Sequence, residues 1–302
     1  MEDKNVNNLK GFTGPMRLPF VILTPACVLV GLGTAVWSIG EVNYFYFTLA
    51  LFGALAAHIS VNAFNEYFDF KSGLDHRTHR TPFSGGSGTL PRSPELERQA
   101  LSVALVTIII TALIGVYFLW VRSISLLPLG ALGLLIIIAY TPRFTHNPVL
   151  CLITPGLGFG PLMVMGTDFV LTGGYSWTSF IASLIPFFLV NDLLLLNQFP
   201  DVEADHSVGR RHFPIILGRK VSSLIYGTIL LLAYLSIVLG VMLGYLPRTS
   251  LIGLLTMLIA VPVIIGAYRS AESVEKLVPY LGLNVIINIA TPVLVAIGLF
   301  LG

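Results

Sequence analysis

Charged side chains are scarce in this sequence. Asp, Glu, Lys and Arg make up only 11% of its 302 residues, against 55% hydrophobic, where a soluble domain carries about 25% charged residues. That shortage excludes an ordinary soluble enzyme or binding module and leaves a chain made mostly of membrane-spanning helix. Cysteine is scarcer still: Cys27 and Cys151 are the only two, each inside an apolar run. A disulfide framework and a thiolate zinc site are thereby excluded, and both read as small packing residues. The loop histidines His76, His79, His206 and His212 lack zincin-type spacing, so a histidine metal centre is not expected. No low-complexity tail or separate soluble unit interrupts the chain, and 1–302 reads as one membrane domain. Its first 16 residues are polar, and the long apolar run that follows reads as a spanning helix rather than a cleaved signal peptide.

A crossing needs about 20 mostly apolar residues. On that measure nine spans are expected, at 18–39, 43–68, 97–121, 124–141, 147–170, 177–199, 219–245, 249–268 and 278–301. The runs are too continuous for barrel strands, so the expected fold is all-α, a polytopic integral membrane protein. Of the 17 Lys and Arg residues, all but Arg122 and Arg248 fall on one side of this arrangement. The positive-inside rule makes that side cytoplasmic, with the N-terminus inside a cell membrane and the C-terminus opposite.

Acids are absent from Val42 onward until Glu66, Asp69 and Asp75 arrive together in Asn65-Glu66-Tyr67-Phe68-Asp69-Phe70-Lys71-Ser72-Gly73-Leu74-Asp75. A second apolar run ends in Asn197-Gln198-Phe199-Pro200-Asp201-Val202-Glu203-Ala204-Asp205, 132 residues further on. Both hold Asn-x-x-x-Asp, both lie on the cytoplasmic side, and four spans separate them. A four-helix unit used twice, plus one extra helix, is the expected pseudo-repeat. Two loops, 69–96 and 200–218, exceed what connection requires and read as active-site loops.

Residues four apart share a helix face. Asn65 pairs with Asp69 on one row, and Asn197, Asp201 and Asp205 form another, with Pro200 a point of bending. Asp75 lies off the first row, and Gly73 gives the backbone room to fold it back. Carboxylates gathered at the ends of membrane helices are costly and usually functional. Phosphate-bound Mg²⁺ takes one or two protein carboxylates, so two such clusters suit a pair of Mg²⁺ ions gripping one diphosphate. Asn65, Asp69, Asp75, Asn197, Asp201 and Asp205 are therefore the candidate catalytic set, and Asp69, Asp75, Asp201 and Asp205 its metal ligands. Lys71, Arg77, Arg80, Arg143, Arg210, Arg211 and Lys220 are the candidate diphosphate partners, Arg80 and Arg143 foremost, since Arg offers phosphate a bidentate fork. Any one of them alone reads equally as a positive-inside charge. Glu203 reads as solvated. Asn62, Tyr67, Tyr140 and Asp192 are candidates for facing an acceptor or a cationic centre. Tyr140 has the alternative of an interfacial anchor, and Asp192 that of a buried structural acid.

With these residues assembled, the chain resembles the UbiA superfamily of intramembrane prenyltransferases over essentially its whole length. The first motif is especially similar to the branch that makes menaquinone-type naphthoquinones. Ala139-Tyr140-Thr141-Pro142, Phe159-Gly160-Pro161-Leu162-Met163-Val164 and Gly209-Arg210-Arg211-His212-Phe213-Pro214 extend the resemblance. It implies nine helices around a lipid-open cavity capped by Mg²⁺ on the cytoplasmic side. It also implies transfer of a polyprenyl group from an isoprenyl diphosphate to an aromatic acceptor such as a dihydroxynaphthoate. The implied partners are those two substrates and membrane lipid, with no nucleic acid and no obligate protein. Two departures stand out. Gly73 occupies the position four after Asp69 where many members place an acid, and the fifth span opens on Asn147-Pro148-Val149-Leu150-Cys151 where the family often has one. Two alternatives follow: prenyl transfer to a glycerol-type lipid alcohol and, in another class, a secondary transporter.

Overall fold

The computed structural model describes residues 13–302, and among these no strand occurs. The polar segment 1–16, with Lys4 and Lys10, lies largely outside the described residues. The described chain enters through a short helical segment, Thr13–Val21, whose last part is the helix Leu18–Val21 and which is bent 48° from the following α1, Leu23–Ile39. Arg17 stands before that bend in the left-handed region, at φ 49°. Helix α2, Tyr44–Lys71, is capped by Asn43, whose side chain accepts from the backbone N–H groups of Phe45 and Tyr46 at 2.9 and 3.2 Å. At 1.5 Å per residue its 28 residues reach about 42 Å, against a hydrocarbon layer of about 30 Å. Its last turns, which carry Asn65 and Asp69, are thus the part free to lie beyond the apolar layer.

Helix α3 (Glu97–Val121) returns alongside α2. Next, α4 (Leu127–Ala139) is short, because Leu127 follows a separate 3₁₀ turn and the chain turns away at Tyr140. The fifth element, α5, runs from Pro148 to Thr172 but changes pitch twice. Residues Gly158–Met165 form a π-helical stretch containing Pro161, which has no N–H to give to the ladder. The remaining elements are α6 (Trp177–Asn197), α7 (Phe213–Met242), α8 (Met257–Ser270, led in by a 3₁₀ run) and α9 (Val274–Phe300). Seven helices among the described residues are long and apolar enough to cross a membrane, or eight if the bent pair at Ile22 counts as one span. The count falls short of the expected nine at α4, which is apolar but too short.

Packing repeats across the two halves. The most extensively packed pairs are α2 with α3 and α6 with α7, equivalents under a shift of four helices. Helix α6 is the most enclosed of the spans. It sits in a large core built mainly from α6 to α9, where Leu189, Leu196, Tyr226, Ile237, Leu281 and Ile287 are all fully buried. Close approach of α5 depends on missing side chains. A Cβ at Gly156 would lie 2.3 Å from the Phe187 carbonyl, and one at Gly160 would lie 2.5 Å from that of Ser183.

Several buried polar groups are tied to neighbours. Arg122 donates to the carbonyls of Val170 and Leu171 at 2.6 and 2.8 Å and stacks on Tyr46, joining α2, α3 and α5 at one end. Asp192 is fully buried and accepts from Asn284 and Asn288 of α9 at 3.0 and 3.3 Å, while Tyr226 of α7 donates to Asn284. Its other oxygen has no partner among the described residues, and Asp192 is not among the residues that line the cavity described next, although its partner Asn288 is. The reason is rotational: Asp192 lies five residues before Asn197, so it points into α7 and α9 instead.

Candidate active site

A cavity of about 620 Å³ opens among α1 to α6 and one face of α9, with mostly apolar walls and a polar mouth. Both acidic stretches meet at that mouth: Asn65, Asp69, Asp75, Asn197, Asp201 and Asp205 all line it. Asn65 and Asp69 arrive on the last turns of α2. Gly73 then takes φ 75°, open to glycine, and turns the chain so that Asp75 folds back and is only 4% exposed. The second stretch is not one continuous row. Helix α6 ends at Asn197, and a short helix restarts at Val202, because Pro200 can neither donate to the ladder nor tolerate the preceding turn. The reversal still carries Asp201 and Asp205 to the mouth.

Arg210 joins the two stretches. It pairs with Asp69 and donates to Asp205 at 2.9 Å, and the other oxygen of Asp205 lies 2.9 Å from His212 Nε2. Two neighbouring acids are less well compensated. Burial and the nearby Glu66 and Asp69 push Asp75 up to about 7, against the pull of Arg17 and Arg80. Burial and Asp205 push Asp201 up to about 7 as well, against Arg210. Asp75 Oδ2, Asp201 Oδ1 and Asn197 Oδ1 are sealed from solvent with no hydrogen-bond partner. Buried oxygens of this kind call for a cation or a donor.

Those orphaned oxygens fit Mg²⁺, a hard ion that prefers carboxylate and carbonyl oxygen. Among the described residues no three carboxylates or imidazoles close around one point. An ion shared with phosphate needs only one or two protein carboxylates, the rest of its shell being water and substrate.

The basic candidates divide sharply. Arg210 lines the mouth. Arg80 stands behind it, donating to the carbonyls of Gly85 and Asp75 at 3.1 and 3.3 Å and so propping the glycine-rich turn. Five others point away from the cavity. Lys71 is exposed and pairs with Glu97 at 2.7 Å, two positions round the helix from Asp69. Arg77 donates to Ser207, linking the two loops on their outer side. Arg143 and Arg211 are exposed. Lys220, beyond the break at Gly218, donates to the Tyr268 carbonyl at 2.8 Å. Of the acceptor candidates, Asn62 and Tyr140 line the cavity. Tyr67 instead lies under Lys71 and against Phe68.

Sequence reasoning missed several groups. Arg17 lines the mouth and pairs at 3.2 Å with Glu66, which is fully buried and also accepts from Ser87. Arg17 lies 48 residues before Asn65, so no spacing connects them. Glu66 was visible but carried no assigned partner, and His212 was visible only within Gly209-Arg210-Arg211-His212-Phe213-Pro214, with no role assigned to it.

Comparison with known proteins shows the family. The UbiA prenyltransferase family model matches residues 25–301. The 1,4-dihydroxy-2-naphthoate octaprenyltransferase of Bacillus subtilis is 30% identical over 224 residues, covering 72% of this chain and 69% of that one. The digeranylgeranylglyceryl phosphate synthase of Pyrococcus furiosus is 26% identical over 246 residues, 79% of this chain and 82% of its own. In fold, the chain is similar to a UbiA homolog from Archaeoglobus fulgidus bound to DMAPP and Mg²⁺. The TM-score is 0.58 at 13% identity, covering 94% of this chain and 98% of that one. The chain is a multi-pass membrane prenyltransferase that belongs to the UbiA prenyltransferase family.

Proposed function

We propose that this enzyme transfers a polyprenyl group from an isoprenyl diphosphate to an aromatic acceptor of the dihydroxynaphthoate type, releasing diphosphate. One observation carries the reading: two acidic stretches with unpartnered buried oxygens meet at the mouth of a single apolar cavity. In this reading the whole chain acts as one transferase unit, with 69–96 and 200–218 as its active-site loops.

Asp69, Asp75, Asp201 and Asp205, helped by Asn65 and Asn197, would hold Mg²⁺, two ions in our reading. When bound, the metal neutralises the diphosphate and stabilises it as a leaving group. Arg210 and Arg17, both lining the mouth, would present further positive charge to the phosphate oxygens. Arg80 holds the loop that carries Gly85 and Gly86 over the same space. The allylic carbon–oxygen bond breaks with its electron pair leaving on diphosphate, and a ring carbon of the acceptor bonds to the freed carbon. That ring carbon then sheds the group it carried, a proton taken up by the released diphosphate or its carboxyl group as CO2, which restores the aromatic ring. Apolar walls keep water from quenching the cation first. Tyr140 and Asn62 flank that space. The basic-residue bias supports a cytoplasmic mouth in a cell membrane.

A glycerol-type lipid alcohol is the second reading, favoured by the likeness to the archaeal glyceryl phosphate synthase. Secondary transport is set aside, because the family consists of transferases. The test is diphosphate release by purified protein given geranylgeranyl diphosphate, Mg²⁺ and a panel of acceptors. Release that needs both Mg²⁺ and 1,4-dihydroxy-2-naphthoate supports the first reading. Release with geranylgeranylglyceryl phosphate alone supports the second.

A further inference from the structure

The cavity face of α2 carries more than its motif. His58, Asn62, Asn65 and Asp69 follow one another at intervals of four, three and four, which is one face of a helix, and all four line the cavity. Only the upper two recur in the second half. Under the 132-residue offset, Asn65 and Asp69 correspond to Asn197 and Asp201, while Asn62 and His58 correspond to Leu194 and Val190. The repeated groups suit an end of the substrate that both halves grip. The unrepeated ones suit a group bound once.

His58 is held rather than loose. It is 5% exposed, and its Nδ1 lies 2.7 Å from the hydroxyl of Thr24 on α1, itself fully buried. The ring meets Phe159 of α5 edge-on, at 4.8 Å and 85°. Among the described residues Nε2 has no hydrogen-bond partner, yet it belongs to a side chain in the cavity wall. A nitrogen so placed needs a polar partner, and the hydrocarbon of a prenyl tail supplies none. The acceptor does, through its ring oxygens. Seven residues along the helix puts His58 about 10 Å deeper than Asn65, below the diphosphate end.

We propose that His58 is an acceptor-binding residue: its Nε2 hydrogen-bonds a ring hydroxyl or carbonyl oxygen of the acceptor and so fixes which carbon faces the allylic carbon. Thr24 sets the ring's orientation and tautomer from behind. The proposal rests on reading this cavity as the transferase site for an oxygen-bearing acceptor.

Three variants test it, using whichever acceptor the wild-type enzyme turns over. His58→Phe keeps the packing on Phe159 and should raise the acceptor KM about tenfold or more, as expected for a lost polar contact. The KM for geranylgeranyl diphosphate should stay within about twofold. His58→Gln should recover part of the loss, and Thr24→Val should show a smaller rise in the same constant. A raised KM for the prenyl diphosphate with the acceptor's unchanged would overturn the proposal, as would no change in either. A second measurement needs no turnover. Diethyl pyrocarbonate labelling of His58, read by peptide mass, should be blocked by 1,4-dihydroxy-2-naphthoate and not by geranylgeranyl diphosphate with Mg²⁺. Blocking by the diphosphate alone, or by neither, would count against it. A panel without turnover would sink the functional reading while this labelling still decides the role of His58.

Discussion

Asp69 and Asp201 differ from ordinary helix-end acids in what surrounds them. Asp69 shares Arg210 with Asp205, and Asp201 keeps a buried oxygen that nothing in the protein satisfies. If these oxygens serve Mg²⁺, Asp69→Asn and Asp201→Asn each preserve side-chain volume while removing a charge the ion requires. We expect both variants to fold and to lose Mg²⁺-dependent diphosphate release, by at least about 10²-fold on the scale of losing a principal electrostatic contact. Normal release by either purified variant would remove that residue from the metal set. At this scale the sequence was legible where spacing was fixed: Asn-x-x-x-Asp placed both acids, and Gly73 explained Asp75. It failed for charges. Lys71, Arg77, Arg143, Arg211 and Lys220 stand near the motifs in sequence but point outward, because a one- or two-residue step reverses the side-chain direction. Arg17 and Glu66 went unpaired in the sequence because only the folded chain brings α1 beside α2.

Elements depend on where the backbone can come close. Gly156 and Gly218 are both glycines, for different reasons. At Gly156 an added methyl meets the Phe187 carbonyl at 2.3 Å, whereas at Gly218 it meets nothing within 4 Å and the constraint is φ 79°. Gly156→Ala should therefore cost about 1–3 kcal/mol through overpacking and loosen α5 from α6. Gly218→Ala should cost about 1–3 kcal/mol through backbone strain alone, because φ 79° with ψ 160° is a conformation essentially reserved for glycine. Thermal unfolding in detergent checks both, and cysteine crosslinking between α5 and α6 should fall only for Gly156→Ala. Helix existence was legible from apolar runs. Ends were not: Gly218 breaks α7 and lets it begin at Phe213, and Pro200 ends α6 before the second motif is complete.

At the scale of the molecule, orientation is the expectation most open to a direct check. Cys27 and Cys151 are buried, so background labelling of the wild type should be low. Arg143→Cys and Ser125→Cys place thiols at exposed positions on opposite ends of α4. A membrane-impermeant maleimide added outside intact cells should label Ser125→Cys and spare Arg143→Cys; the reverse pattern would invert the proposed topology. The repeat was legible from the 132-residue offset and recurs as the packing of α2 on α3 and α6 on α7. Which half would be filled and which hollow was not, since both are equally apolar in sequence. Only side-chain packing decides that α6 to α9 form the dense core and that the space among α1 to α6 stays open.

The bridge from Arg210 to Asp69 and Asp205, with His212 behind it, has a practical corollary for handling the protein. Its mouth carries an internal counter-charge, so chelation does not leave two facing rows of naked carboxylates to repel each other. A structural zinc domain unravels when its ion is removed; here chelation should leave a dormant but intact protein. Treatment with EDTA should abolish diphosphate release, shift the detergent melting midpoint by no more than a few degrees, and be reversed by adding Mg²⁺. A large fall in the midpoint, or failure to reactivate, would show that the arginine bridge does not hold the emptied site together. If it does hold, the enzyme can be purified, stored and shipped without metal, and switched on when wanted.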